Sequence, residues 1–103
     1  MNRYIIADEA IQDLQDISDY FLKNNLEAGE QFLQAFNARC LQLIRFPNLG
    51  RSYAHLRPNL LGLSLRGFII LYKISNDNDA IGIEILRVVN GRRDLEHIFD
   101  GVN

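Results

Sequence analysis

The sequence predicts an α+β fold: an N-terminal strand and an α-helical hairpin packed on a small antiparallel β-sheet, closed by a short C-terminal helix. Three observations carry this expectation. Apolar residues recur at helical spacing through residues 8–45. Beyond residue 60 they gather into strand-like runs of branched and aromatic side chains. Pro47 falls at the changeover and cannot continue the helix before it. A chain of 103 residues is long enough for one core, so a single domain spanning 1–103 is expected.

The elements follow in order. "RYII", residues 3–6, suits a short strand. Asp8 or Ala7 opens a first helix; Asp8 is a candidate N-cap, and Asp8 and Glu9 suit the positive end of its dipole. Ala10, Leu14, Ile17 and Phe21 share one face, with Gln12, Asp13, Gln15, Asp16 and Asp19 expected opposite. "KNN", residues 23–25, is a polar link. A second helix should run from about Leu26 to Arg45, with Phe32, Phe36, Arg39, Cys40, Leu43 and Ile44 forming its stripe. Two such helices joined by a short link form an antiparallel hairpin.

"LLGLSL", "GFIILYKIS" and "AIGIEILRVV" read as three strands, the last two joined at "NDND", residues 76–79. Phe68–Leu71 is apolar without alternation, as in a central strand covered on both faces. Asp94 can cap a final short helix through Phe99.

Composition narrows the function. No apolar run approaches the roughly 20 residues of a membrane span, and the N-terminus does not read as a secretory signal. Cys40 is the lone cysteine and reads as a buried thiol, so a cytoplasmic location is the default expectation. His55 and His97 lack metal-ligand spacing, and no glycine-rich phosphate loop or nucleophile elbow is present, so no metal or cofactor is expected. The net charge of −2 is unevenly spread. Residues 1–50 carry four basic and seven acidic side chains, residues 51–93 seven basic and three acidic, and residues 94–103 three acidic. A basic surface on an acidic body follows, short of the balance expected of a nucleic-acid binder. Arg51, Arg57, Arg66, Arg87, Arg92 and Arg93 supply it, and adjacent strands could gather several along one edge and face. Their planar donor forks suit phosphate or carboxylate.

"LQDISDYFLKNN", "FPNLGRSYAHLRPNLLGLSLRGFIILYKI" and "IEILRVVNGRRDL" together resemble the ParE branch of the RelE/ParE toxin family, across nearly the whole chain. The most specific parts are Pro47…Gly50-Arg51, "ILYKI" and "ILRVVNGRRD". The resemblance implies the toxic half of a type II toxin–antitoxin module. A ParE-like member would inhibit DNA gyrase without being an enzyme, and a ParD-like antitoxin would neutralise it in a higher-order hetero-oligomer. RelE-like members instead cut messenger RNA on the ribosome, using sheet arginines and a C-terminal tyrosine. At those positions this chain has Ile69 and Phe99, and only Arg93 matches. An RNase alternative would fall to Arg93 and His97, and a third reading is a non-toxic antitoxin-binding remnant. On the ParE reading, Arg57, Arg66, Arg87, Arg92 and Arg93 are expected to contact acidic antitoxin side chains. Arg92, Arg93, Asp94 and His97 are the candidates for the toxic surface.

Overall fold

A computed structural model describes residues 3–77, 80–92 and 95–99. The order is β1 (Arg3–Ile6), α1 (Asp8–Asn24), α2 (Leu26–Arg45), β2 (Arg51–Ser52), β3 (Leu61–Leu65), β4 (Phe68–Asp77), β5 (Ala80–Asn90) and a 3-10 turn at Leu95–His97. The strands form one sheet in the order β1-β5-β4-β3-β2. The helical hairpin packs on this sheet, so the α+β class and the helix–sheet pairing are borne out. Two details differ. The sheet is mixed, because β1 joins it parallel to β5, with Arg3 opposite Gly82 and Ile6 opposite Ile85. A two-residue strand, β2, adds to the free side of β3.

The expected cap at Asp8 is also corrected. Ala7 is the N-cap, without a side-chain cap, and Asp8 lies in the first turn. Ala7 keeps the extended backbone of β1 and donates its amide to the Ile85 carbonyl at 2.9 Å. The sheet thus satisfies the Ala7 amide itself, one of the donors that the start of a helix leaves without an intrahelical partner. Between the helices one residue suffices. Asn25 accepts the Ala28 amide on its side chain at 3.1 Å, and its own amide donates to the Phe21 carbonyl at 2.7 Å. α2 stops at Arg45, one residue before Phe46 and two before Pro47, as the proline requires.

The core lies on both sides of the sheet. Ala10, Phe32, Phe36, Cys40 and Leu43 from the helices meet Leu65, Ile70, Tyr72, Ile83, Ile85 and Val88. On the outer face Ile69, Leu71 and Val89 pack under Tyr53, Leu60 and Ile98. Central β4 therefore alternates between two buried clusters, which is why its sequence shows no polar period. A β-bulge interrupts the β4–β5 ladder: Leu71 faces Arg87 but Tyr72 faces Ile85, leaving Leu86 extra. Ile85 and Val88, three residues apart, consequently face the same helices.

The hairpin expected at residues 76–79 has its strands paired as far as Asp77 and Ala80; residues 78–79 lie outside the described residues. The C-terminal helix is a 3-10 turn, and its expected cap Asp94 also lies outside them.

Candidate functional site

The arginines do not form one continuous group. Two of them come together where the chain makes adjacent turns at one end of the sheet. Leu65 pairs with Phe68, so Arg66 and Gly67 form a two-residue hairpin turn. Both have positive φ, 47° and 86°, the geometry that matches the twist of the flanking strands. Glycine adopts this freely; arginine does so at a cost in steric strain. Phe68 in turn pairs with Asn90, and the Gly91 amide donates to the Gly67 carbonyl at 2.8 Å. That bond ties the exit of β5 to the Arg66 turn. The Asn90 side chain accepts the Arg92 amide at 2.9 Å and fixes the backbone there. Arg66 and Arg92 are both exposed, and among the described residues neither enters an ion pair. Arg93 and Asp94 lie outside the described residues. His97 is exposed at the end of the 3-10 turn.

Arg57 is placed elsewhere, half-buried on the outer face, with its guanidinium 4.8 Å from the centroid of the Phe99 ring. A cavity of about 320 Å³ opens beside it, bounded by Leu60, Lys73, Glu84 and Leu86. Lys73 and Glu84 are paired at 3.2 Å across the rim. Arg51, at the far edge, lies 5.0 Å from the Tyr53 ring and donates from Nε to its hydroxyl at 3.2 Å.

Arg87 is committed inward. Its Nε donates to Asp13 Oδ2 at 2.7 Å and its Nη2 to Asp13 Oδ1 at 2.9 Å, a bidentate pair shielded from solvent. Its Nη1 donates to the Ile98 carbonyl at 3.1 Å. Asp13 Oδ2 also accepts the Val88 amide at 2.9 Å. The Asp13 hydrogen bond is the largest influence on Arg87 and holds its proton more firmly than usual, against the opposing effect of burial. Sequence reasoning set Asp13 on the polar side of α1. Its spacing gave the opposite signal, since Asp13 is three residues after Ala10 and four before Ile17, within the buried stripe.

The two positions at which the resemblance implies reactive groups in RNA-cutting members, Ile69 and Phe99, are apolar. Ile69 is 9% exposed, packed with Tyr53, Leu60, Leu71, Val89 and Ile98. Phe99 lies half-buried against that cluster, under Arg57. Neither side chain can exchange a proton. Among the described residues no three His, Cys, Asp or Glu side chains come together as metal ligands, and no helix is long and apolar enough to cross a membrane.

The outer side of the helical hairpin carries apolar surface. Ile11, Leu22, Leu26 and Leu33 are between 43% and 68% exposed. Leu22, Leu26 and Leu33 line one shallow groove, and Ile11 with Leu14 lines another that shares Ser18 and Asp19 with it.

Comparison with known proteins agrees with this architecture. The family model described as "ParE toxin of type II toxin-antitoxin system, parDE" matches residues 4–95. The chain is 28% identical over 96 residues to Toxin ParE3 of Caulobacter vibrioides, covering 92% of each protein. Its fold is similar to a chain of the chromosomal ParDE TA system from P. aeruginosa, with a TM-score of 0.69 at 20% identity, covering 87% of this chain and 95% of that one. Spanning nearly every element from β1 to the 3-10 turn, the family match shows that the chain belongs to the ParE toxins of type II toxin–antitoxin systems.

Proposed function

We propose that this toxin is a stoichiometric inhibitor rather than an enzyme, that DNA gyrase is its target, and that a ParD-like antitoxin holds it inactive in the cytoplasm. The observation that carries the non-enzymatic reading is the apolar filling of the outer sheet face. Strand-cleaving chemistry at RNA needs a group to activate the 2′-hydroxyl, a donor for the leaving oxygen and cations for the developing charge. By the resemblance, Ile69 stands where a cationic arginine would be needed and Phe99 where a proton-exchanging tyrosine would be, and Ile69 is buried against Leu71 and Val89.

Arg66 and Arg92 are the antitoxin contacts best supported by the geometry. They are exposed, they sit on turns held together by the Gly91–Gly67 hydrogen bond, and Arg66 is kept in a conformation that arginine adopts at a cost. Acidic side chains are their matching partners. Arg93 belongs with them by sequence, whereas Arg57 and Arg87 serve by holding Phe99 and the C-terminal segment in place. An amphipathic antitoxin helix would cover Ile11, Leu22, Leu26 and Leu33. Arg92, Arg93, Asp94 and His97 form the toxic surface on this reading.

Purified toxin is expected to block supercoiling by gyrase and to trap cleaved DNA, with both effects reversed by a ParD-like antitoxin. Ribosome-dependent cuts in messenger RNA with gyrase unaffected would replace this reading with the RelE-like one. Normal growth on expression of the free chain would leave only an antitoxin-binding role.

A further inference from the structure

The polar contacts between the first helix and the sheet converge on Asp13, and they continue from there into the C-terminal segment. β1 pairs with β5 only from Gly82 to Ile85. Past that point β5 has no neighbouring strand on this side among the described residues, and the Asp13 carboxylate takes the Val88 amide in its place. The same carboxylate holds Nε and Nη2 of Arg87, while Nη1 of that guanidinium holds the Ile98 carbonyl. A guanidinium is planar and rigid, so a displacement of Asp13 that turns it also moves the donor facing Ile98. Ile98 is 3% exposed and covers Ile69, Leu71 and Val89, with Leu95 and Phe99 partly buried beside it.

We propose that Asp13 and Arg87 form a latch between α1 and residues 95–99, so that a displacement of α1 shifts the docking of the C-terminal segment. The regulatory meaning rests on the reading above that the toxic surface lies beside that segment. Ile11, Gln12, Leu14 and Gln15 line a groove on α1 that flanks Asp13 in sequence on both sides. A bulky group seated there would bear on the helix turn that carries the carboxylate. Coupling of this kind is reciprocal: whatever fixes residues 95–99 also favours the matching position of α1.

The test uses the full chain and the Ile98 amide, which donates to the Leu95 carbonyl at 3.2 Å and so reports on local opening. Arg87→Lys keeps the charge but cannot span Asp13 and Ile98 at once, and Asp13→Asn keeps an acceptor for Val88. Hydrogen exchange at Ile98 is expected to quicken roughly tenfold or more in Arg87→Lys, with Ile70 and Leu71 in the central strand unchanged. A bulky maleimide on Ile11→Cys serves as the occupant of α1, since Cys40 is buried. The label should alter Ile98 exchange in the chain that retains Arg87 and leave it unaltered in the chain that also carries Arg87→Lys. Unchanged Ile98 exchange in Arg87→Lys, or the same response to the label in both backgrounds, would overturn the latch. Should Arg87→Lys fold poorly, Asp13→Asn is read by the same comparison. Growth arrest on expression tests the toxic-surface reading separately, because the latch is judged from exchange in the isolated chain.

Discussion

Tyr72, wholly buried in β4, accepts the Gly50 amide on its hydroxyl at 3.0 Å and donates to the Pro47 carbonyl at 2.7 Å. One phenol thus anchors the whole loop that follows α2. Tyr72→Phe leaves both loop groups without their partner and should lower stability by about 1–3 kcal/mol in urea unfolding. Gly50→Ala should cost more than a usual surface change. Its methyl would stand 2.7 Å from the Gly62 carbonyl, a backbone atom that cannot move aside cheaply.

Alkaline pH should weaken the fold through Cys40. Burial pushes its thiol up from 9.0 to about 12, so the folded chain holds that proton more tightly than the unfolded one. The stability linked to it is complete below the unfolded value and is lost as pH climbs through the folded one. Between those limits the slope approaches about 1.4 kcal/mol per pH unit. Burial raises Tyr72 as well, the Gly50 hydrogen bond partly opposing it, and this adds a loss of the same sign at still higher pH. Urea midpoints measured from neutral pH upward should fall beyond pH 9.0, and Cys40→Ala should flatten the decline.

Arg66→Gly should separate strain from binding. Removing the side chain at φ 47° relieves the backbone, and the added freedom of the unfolded chain offsets part of the gain, leaving up to about 1 kcal/mol. The same variant should bind its antitoxin at least tenfold more weakly by calorimetry, as expected for roughly 1.5 kcal/mol of lost charge-assisted contact. Added salt should narrow the difference. Equal affinity at low salt would remove Arg66 from the interface.

Placing at Ile69 and Phe99 the residue types that the resemblance implies for RNA-cutting members should not create their chemistry. Ile69→Arg places a charge inside the outer cluster and should destabilise by about 3–5 kcal/mol. Phe99→Tyr should fold normally, because this ring is only half-buried, and should cleave no transcript in a translating extract.

Much of the fold was legible because it is local. Helical spacing located α1 and α2, Pro47 marked where the second ends, and the unbroken apolar run at Phe68–Leu71 identified a strand buried on both faces. The parallel pairing of β1 with β5 was not legible, since nothing in "RYII" specifies which distant strand it will join. The bulge at Leu86 was hidden for a related reason: it is defined by the mismatch between two strands, and neither shows it alone. Among the arginines, sequence could count charges but not their partners. Arg87 and Arg66 look alike as letters, yet one is clamped by Asp13 and the other stands exposed on a turn. Asp13 itself could have been found, because an acid at a stripe position of an amphipathic helix calls for a buried cation.

The place of β1 bears on how the toxin comes into being. Arg3 finds its neighbour only at Gly82, so β1 waits for a strand that lies four elements further along than the helices it precedes, β5. The two helices have local partners and can collapse early, whereas completion of the sheet closes every element between β1 and β5 into one loop, a slow step by its topology. A polypeptide interrupted before β5 therefore lacks the seat of β1, Arg87 and the Leu95–His97 turn together, and none of the contacts that join the helices to that turn can form.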